Sequence, residues 1–182
     1  MSLNISGLGD ADFQIAAYIE NRPAFMNMAE LEHCQPLVDG EIYAIGQACG
    51  NGWRKVFNVY AKLLFALPQS QFNYRTLATD WQGYRDKHLL QQDSQTALLF
   101  SPPALKPDDN RLHIIMGRTY AKRLVNESKI TAPLTWLDNE FAINAEHKLF
   151  VCPYFDYRQL SNIKIERLVE LIVNTQASEV PS

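Results

Sequence analysis

Three short stretches hold the residue types from which a site can be built. Glu20, Asn21, Arg22, Pro23 and Phe25 bring an acid, an amide, a base and an aromatic ring to one place in the chain. Gly117, Arg118 and Thr119 make a sharp turn into a basic helix start, and a helix start is a natural anion site because its first N–H groups have no intrahelical partner. Cys152, Pro153 and Tyr154 lead into Phe155 and Tyr157, a run of aromatics that can stack on a planar base. Each stretch also has a plain structural reading. Glu20 and Arg22 suit a surface ion pair, Gly117 serves the turn alone, the aromatics divide between core and rim, and Cys152 is a small apolar side chain.

These stretches need elements to hold them, and the pattern supplies one before each. Phe13, Ile15, Ala16, Ala17, Tyr18 and Ile19 read as a strand that Pro23 ends. Leu112, Ile114, Ile115 and Met116 read as a strand buried on both faces, after which Thr119 caps a helix running to about Asn126. Leu149, Phe150 and Val151 form a last strand. Two amphipathic helices stand out, Gly52 to Leu67 with Asn51 as cap, and Ile163 to Val173. Residues 1–12 read as a loose lead-in, 24–49 as a long loop with a helical turn near Met28, Tyr74–Ala78 as a strand, 84–92 as helical, and the tail after Thr175 as disordered. The strand and helix order predicts an α/β fold, a three-layer α/β/α sandwich around a central, mainly parallel sheet of about four strands. The expectation is one domain over 1–182 with its ordered core at roughly 13–175. Ligands of such sheets bind beyond the carboxyl ends of the strands, where all three stretches fall.

Composition narrows the classes. At 182 residues, 47% hydrophobic and with a net charge of −3, the chain is an ordinary globular one without global attraction to nucleic acid. Phosphate contact would need a local patch, for which Arg118, Lys122, Arg123, Arg158, Lys164 and Arg167 are the candidates, with solvated helix surface as the alternative. Three scattered cysteines and no signal peptide predict reduced thiols and a cytoplasmic protein. No apolar run approaches a membrane span. The four histidines lack metal-ligand spacing, and Walker, dinucleotide and nucleophile-elbow motifs are missing, so neither metal nor cofactor is expected.

Taken in order, the pieces resemble the uracil-DNA glycosylase superfamily. IIMGRTYAKRL is similar to the strand, glycine and helix that precede that family's last motif. FVCPYFDYRQL, Phe150 to Leu160, resembles its final strand and His-Pro-Ser type loop, and WRKVFNVYAKLLFAL occupies the place of its helix after the first motif. The resemblance touches most of residues 13–173. It implies that Glu20 or Asn21 positions the attacking water, that Phe25 stacks on a flipped base and that Asn21 reads its edge. The chain departs from the pattern at two points: the first motif lacks its glycines, and Cys152 stands where the family has the histidine that stabilises the departing uracil anion.

Three readings stay open: a glycosylase-like domain that binds nucleobase or DNA, with or without cleavage; a non-enzymatic protein-interaction domain; and a small-molecule enzyme holding an anionic ligand at the Gly117 helix start. A common site requires Glu20 and Tyr154 at the same end of the sheet. The resemblance requires the last strand to run parallel to Leu112–Met116.

Overall fold

Every residue of Ile15–Tyr18, Thr96–Leu99, Leu112–Met116 and Leu149–Cys152 is buried, the signature of strands covered on both faces. The computed structural model describes residues 5–106 and 109–177. Its elements are β1 (Gly7–Gly9), β2 (Ile15–Tyr18), β3 (Cys34–Gln35), α1 (Glu41–Cys49), α2 (Asn51–Ala66), α3 (Trp81–Lys87), β4 (Thr96–Leu99), β5 (Leu112–Met116), α4 (Arg118–Asn126), β6 (Thr135–Trp136), β7 (Ala142–Asn144), β8 (Leu149–Cys152) and α5 (Asn162–Ala177). Short 3-10 turns occupy Met28–Glu30 and Tyr74–Leu77.

The strands form one sheet of eight, in the order β3-β1-β4-β2-β5-β8-β7-β6. It is larger than the expected four strands, and mixed. Its centre, β4-β2-β5-β8, is parallel throughout. β1 joins antiparallel to β4 on one side, and β7 antiparallel to β8 on the other. The chain leaves β2 for β4 on one side and then returns across it to β5 on the other. Connections therefore diverge at β2 and β5, and the crevice they open lies beyond Tyr18 and Met116.

Helices cover both faces. On one, Val56, Phe57, Tyr60, Leu63 and Leu64 of α2 and Leu168 and Ile172 of α5 pack over Ile15, Ala17, Leu98, Ile114 and Phe150. Each fully buried large apolar side chain here contributes about 1.5–3 kcal/mol. On the other face, Tyr120, Ala121 and Leu124 of α4 pack over Ala16, Tyr18, Ile115 and Val151. That face also buries one polar pair, Tyr18 hydroxyl to His113 Nδ1 at 2.7 Å. Burial holds the His113 imidazole down at about 4, so the ring is neutral and shares this hydrogen bond with the Tyr18 phenol.

Several expectations are corrected. Residues 7–9 are not a loose lead-in but the inserted strand β1, where a Cβ on Gly7 would lie 2.4 Å from the Leu98 carbonyl oxygen. Residues 24–49 hold β3 and α1 as well as the turn at Met28. Tyr74–Leu77 is a 3-10 turn rather than a strand, with the Tyr74 hydroxyl on the Gln14 side chain at 2.9 Å. α3 spans Trp81–Lys87, ahead of the expected 84–92, because the Asp80 side chain caps it at Gly83 N–H. Thr119 does not cap α4; Gly117 occupies that position. α5 continues through Thr175 to Ala177, and the rest of the expected tail lies outside the described residues. Among the described residues no helix is long and apolar enough to cross a membrane.

Candidate functional site

Beyond the carboxyl ends of β2, β5 and β8 lies a cleft of about 380 Å³. Seven of the ten sequence-selected residues line it: Glu20 and Asn21 after β2, Gly117, Arg118 and Thr119 at the start of α4, and Pro153 and Tyr154 after β8. Glu20 and Tyr154 thus share one end of the sheet. β8 also runs parallel to β5, with Ile115 opposite Val151.

Each segment arrives for a local reason. β2 keeps its ladder as far as Ile19, whose N–H bonds to Leu99 C=O at 3.0 Å, and the chain then turns outward with Glu20 and Asn21 exposed. Arg22 fixes the loop that follows. Its guanidinium donates to the carbonyls of Ala29 (3.1 Å) and Leu31 (3.0 Å) and stacks over Phe100. Arg22 is therefore a structural clamp and not the partner of Glu20. At Gly117 (φ +96°) the chain leaves β5, its N–H held by Cys152 C=O at 2.7 Å, and α4 begins. The first helical bond is Ala121 N–H to Gly117 C=O, which leaves the N–H groups of Arg118, Thr119 and Tyr120 without helical partners at the cleft.

Glu20 pairs with Arg123 of α4, and Arg123 also approaches Glu127 at 3.9 Å and lies over the Tyr120 ring. The carboxylate is thereby held by a cation at the rim. Burial pushes the Tyr154 phenol up, an effect that the Asn21 side chain partly offsets, so the ring stands protonated beside that amide.

Three selected residues lie elsewhere. Pro23 is buried, and Phe25 packs against the α2 core. Cys152 is fully buried in that same core, with its thiol directed to Pro153 C=O at 3.3 Å and pushed well above the usual range by burial. β-strand alternation sends it there: neighbours in a strand point to opposite faces, and Val151 takes the α4 side. The aromatic run divides likewise. Tyr154 lines the cleft, Phe155 is in the core against Tyr60, and Tyr157 lies outside between Lys55 and Arg158.

The turn between β6 and β7 and the loop before α5 add Asn139, Glu140 and Gln159, none of which directly follows a parallel strand end. Asp138 shapes that turn. It accepts from Glu140 and Phe141 N–H at 2.7 and 2.8 Å, and its ion pair with Arg167, together with these bonds, holds its carboxyl down at about 2. Lys164 pairs with Glu140 at 2.8 Å. Asp138-Asn139 reads as a turn in sequence, but nothing there shows that the turn folds over the end of β5.

The cleft so built carries three amides, two carboxylates held by cations, a hydroxyl and two tyrosine rings. Amides offer both donor and acceptor, so this set suits a planar ligand with a mixed polar edge. Of the basic residues around it, Arg123, Arg158, Lys164 and Arg167 are each paired with a carboxylate. Among the described residues no three His, Cys, Asp or Glu side chains cluster as metal ligands would. No curated protein and no solved structure matches the chain. Residues 6–173 match a family of unknown function (DUF6942), and the chain belongs to that family.

Proposed function

We propose that this protein binds a nucleobase in the cleft at the ends of β2, β5 and β8, and that it does so without cleaving a glycosidic bond. The observation that carries this reading is the convergence of Asn21, Tyr154 and Glu20 on one cavity of about 380 Å³. Tyr154 supplies a ring face for stacking, Asn21 beside it reads donors and acceptors on the base edge, and Glu20 accepts an N–H. Asn139 and Gln159 contribute further amides to the lining.

The resemblance to uracil-DNA glycosylases fits this location and argues against their chemistry here. Release of a base anion calls for a donor where that family has histidine, and this chain has Cys152, enclosed in the α2 core. The pairing of the surrounding cations with carboxylates also favours a small ligand over a wide duplex surface.

Calorimetric titration with the five common bases and their nucleosides tests the reading. At least one binds the wild type, and Asn21→Ala and Tyr154→Ala weaken it by about 1–3 kcal/mol each. No binding by any of them contradicts it. Base release from a uracil-containing strand, abolished by Glu20→Gln, would instead make the protein a glycosylase.

One observation favours a second reading, a protein partner at the helical face: Tyr43 is 69% exposed beside a groove floored by Ile42 and Phe57. Tyr43→Glu, at a position that does not line the cleft, leaves base binding unchanged if the two surfaces are independent.

A further inference from the structure

We infer that the ligand of this cleft carries phosphate, and that its phosphate groups lie along the exposed side of α4 across Arg118 and Lys122. The inference rests on the base-binding reading above.

The cleft does not stop at α4. A groove of about 520 Å³, lined by Arg118, Thr119, Lys122, Arg123 and Asn126, continues from it, and Arg118 and Thr119 line both. Residues four apart on a helix stand side by side, so Arg118 and Lys122 present adjacent cations to this groove. Their neighbours are all neutralised: Arg123 by Glu20, Arg158 by Asp156, Lys164 by Glu140 and Arg167 by Asp138. Among the described residues Arg118 and Lys122 form no ion pair. Lys122 lies over the face of Trp136, 5.3 Å from the ring centre.

Like charges at this spacing disfavour the free helix, and an anion between them removes the conflict. A base pocket opening onto a pair of cations that no carboxylate among the described residues compensates therefore matches a nucleotide better than a free base. The base enters between Tyr154 and Asn21, the sugar passes Thr119, and the phosphates reach the cations. Arg118 can take a phosphate bidentately and Lys122 as a point charge. A mononucleotide and a nucleic-acid strand share this chemistry.

The test titrates the full chain with uridine and adenosine, their 5′-monophosphates and 5′-triphosphates, inorganic tripolyphosphate, and a short single-stranded oligonucleotide. The expected result is that a nucleotide binds at least about tenfold more tightly than its nucleoside, with the difference shrinking as salt rises. Lys122→Ala, whose side chain lines the groove and not the cleft, weakens nucleotide binding several-fold and leaves nucleoside binding unchanged, and in an Arg118→Ala, Lys122→Ala double variant the nucleotide falls to the affinity of the nucleoside for that same variant. Stronger binding of the oligonucleotide than of the mononucleotide supports the same phosphate track and assigns it to a strand. Nucleoside and nucleotide binding alike overturns the inference and leaves the base-binding reading standing. Tripolyphosphate binding as tightly as the triphosphates overturns the nucleotide assignment, and no binding by any probe overturns both.

Discussion

Glu20 and Arg123, 103 residues apart in the chain, form an ion pair across the rim of the cleft. The pair joins the end of β2 to the exposed side of α4, the helix that leaves β5, and so bridges the point at which the strand connections diverge. Both side chains are more than two-fifths exposed, which keeps the contribution to stability small. Arg123→Gln and Glu20→Gln should each change the unfolding free energy by less than about 1 kcal/mol. Ligand affinity should respond more: Glu20→Gln removes the charge and one of the two acceptor oxygens, whereas Arg123→Gln only frees the carboxylate to move, so the first weakens nucleoside binding more than the second. Chemical denaturation beside calorimetry separates the two effects, and a loss of several kcal/mol of stability in either variant would make the pair a structural one.

Acid should weaken the fold through His113. Its folded imidazole titrates near 4 against 6.5 for the ordinary group, so between those values the unfolded chain takes up the extra proton. Stability from this group is full above about pH 6.5 and falls by about 3 kcal/mol as pH drops through the window to about 4. His113→Gln keeps a hydrogen-bonding partner for Tyr18 and does not titrate. Its stability at pH 7 is lower, and the difference from wild type narrows towards pH 4; an unchanged gap would show that His113 is not the titrating group.

Much of this architecture is legible in the residues. The strand Leu112–Met116, the glycine after it and the helix beyond were readable because an unbroken apolar run, a turn residue and a 3.6-residue repeat follow one another. The helix over Asn51–Ala66 shows the same clarity, and its stop at Pro68 is a chemical one. β1 was illegible because a strand of glycine, leucine and glycine has almost no side-chain pattern, and only the approach of Leu98 reveals why glycine is needed. α1 buries just Ile42, Ile45 and Gly46, too few positions to show a period, and Gly46 reads as punctuation although it makes room for Arg54. At the site, the strand ends were predictable from topology. Asn139, Glu140 and Gln159 were not, since only tertiary contacts such as Arg167 with Asp138 carry their loops to the cleft.

Cys152 separates position in the motif from position in space. Cys152→Ala should cost about 1–2 kcal/mol through the lost sulfur contacts and leave nucleoside affinity unchanged. The thiol should also resist alkylation in the native state, because burial both shields it and keeps it protonated. Rapid labelling without unfolding would mean that the strand end opens.

Gly117 holds a left-handed φ of +96° with open space where a Cβ would go. Gly117→Ala therefore meets no clash, and its cost of about 1–3 kcal/mol is backbone strain alone. The variant folds with a lower Tm, and the start of α4 shifts enough to weaken nucleotide binding more than nucleoside binding. A wild-type Tm would show that the turn relaxes freely.

The most direct test of base binding in the cleft is a ¹H–¹⁵N chemical-shift map of the whole chain during titration with the tightest-binding nucleoside. The largest perturbations should fall on Asn21, Gly117 to Tyr120, Asn139 and Tyr154, and vanish in Asn21→Ala at the same concentration. Perturbations centred instead on α1 and α3 around Tyr43, or scattered over the surface without saturation, would contradict it.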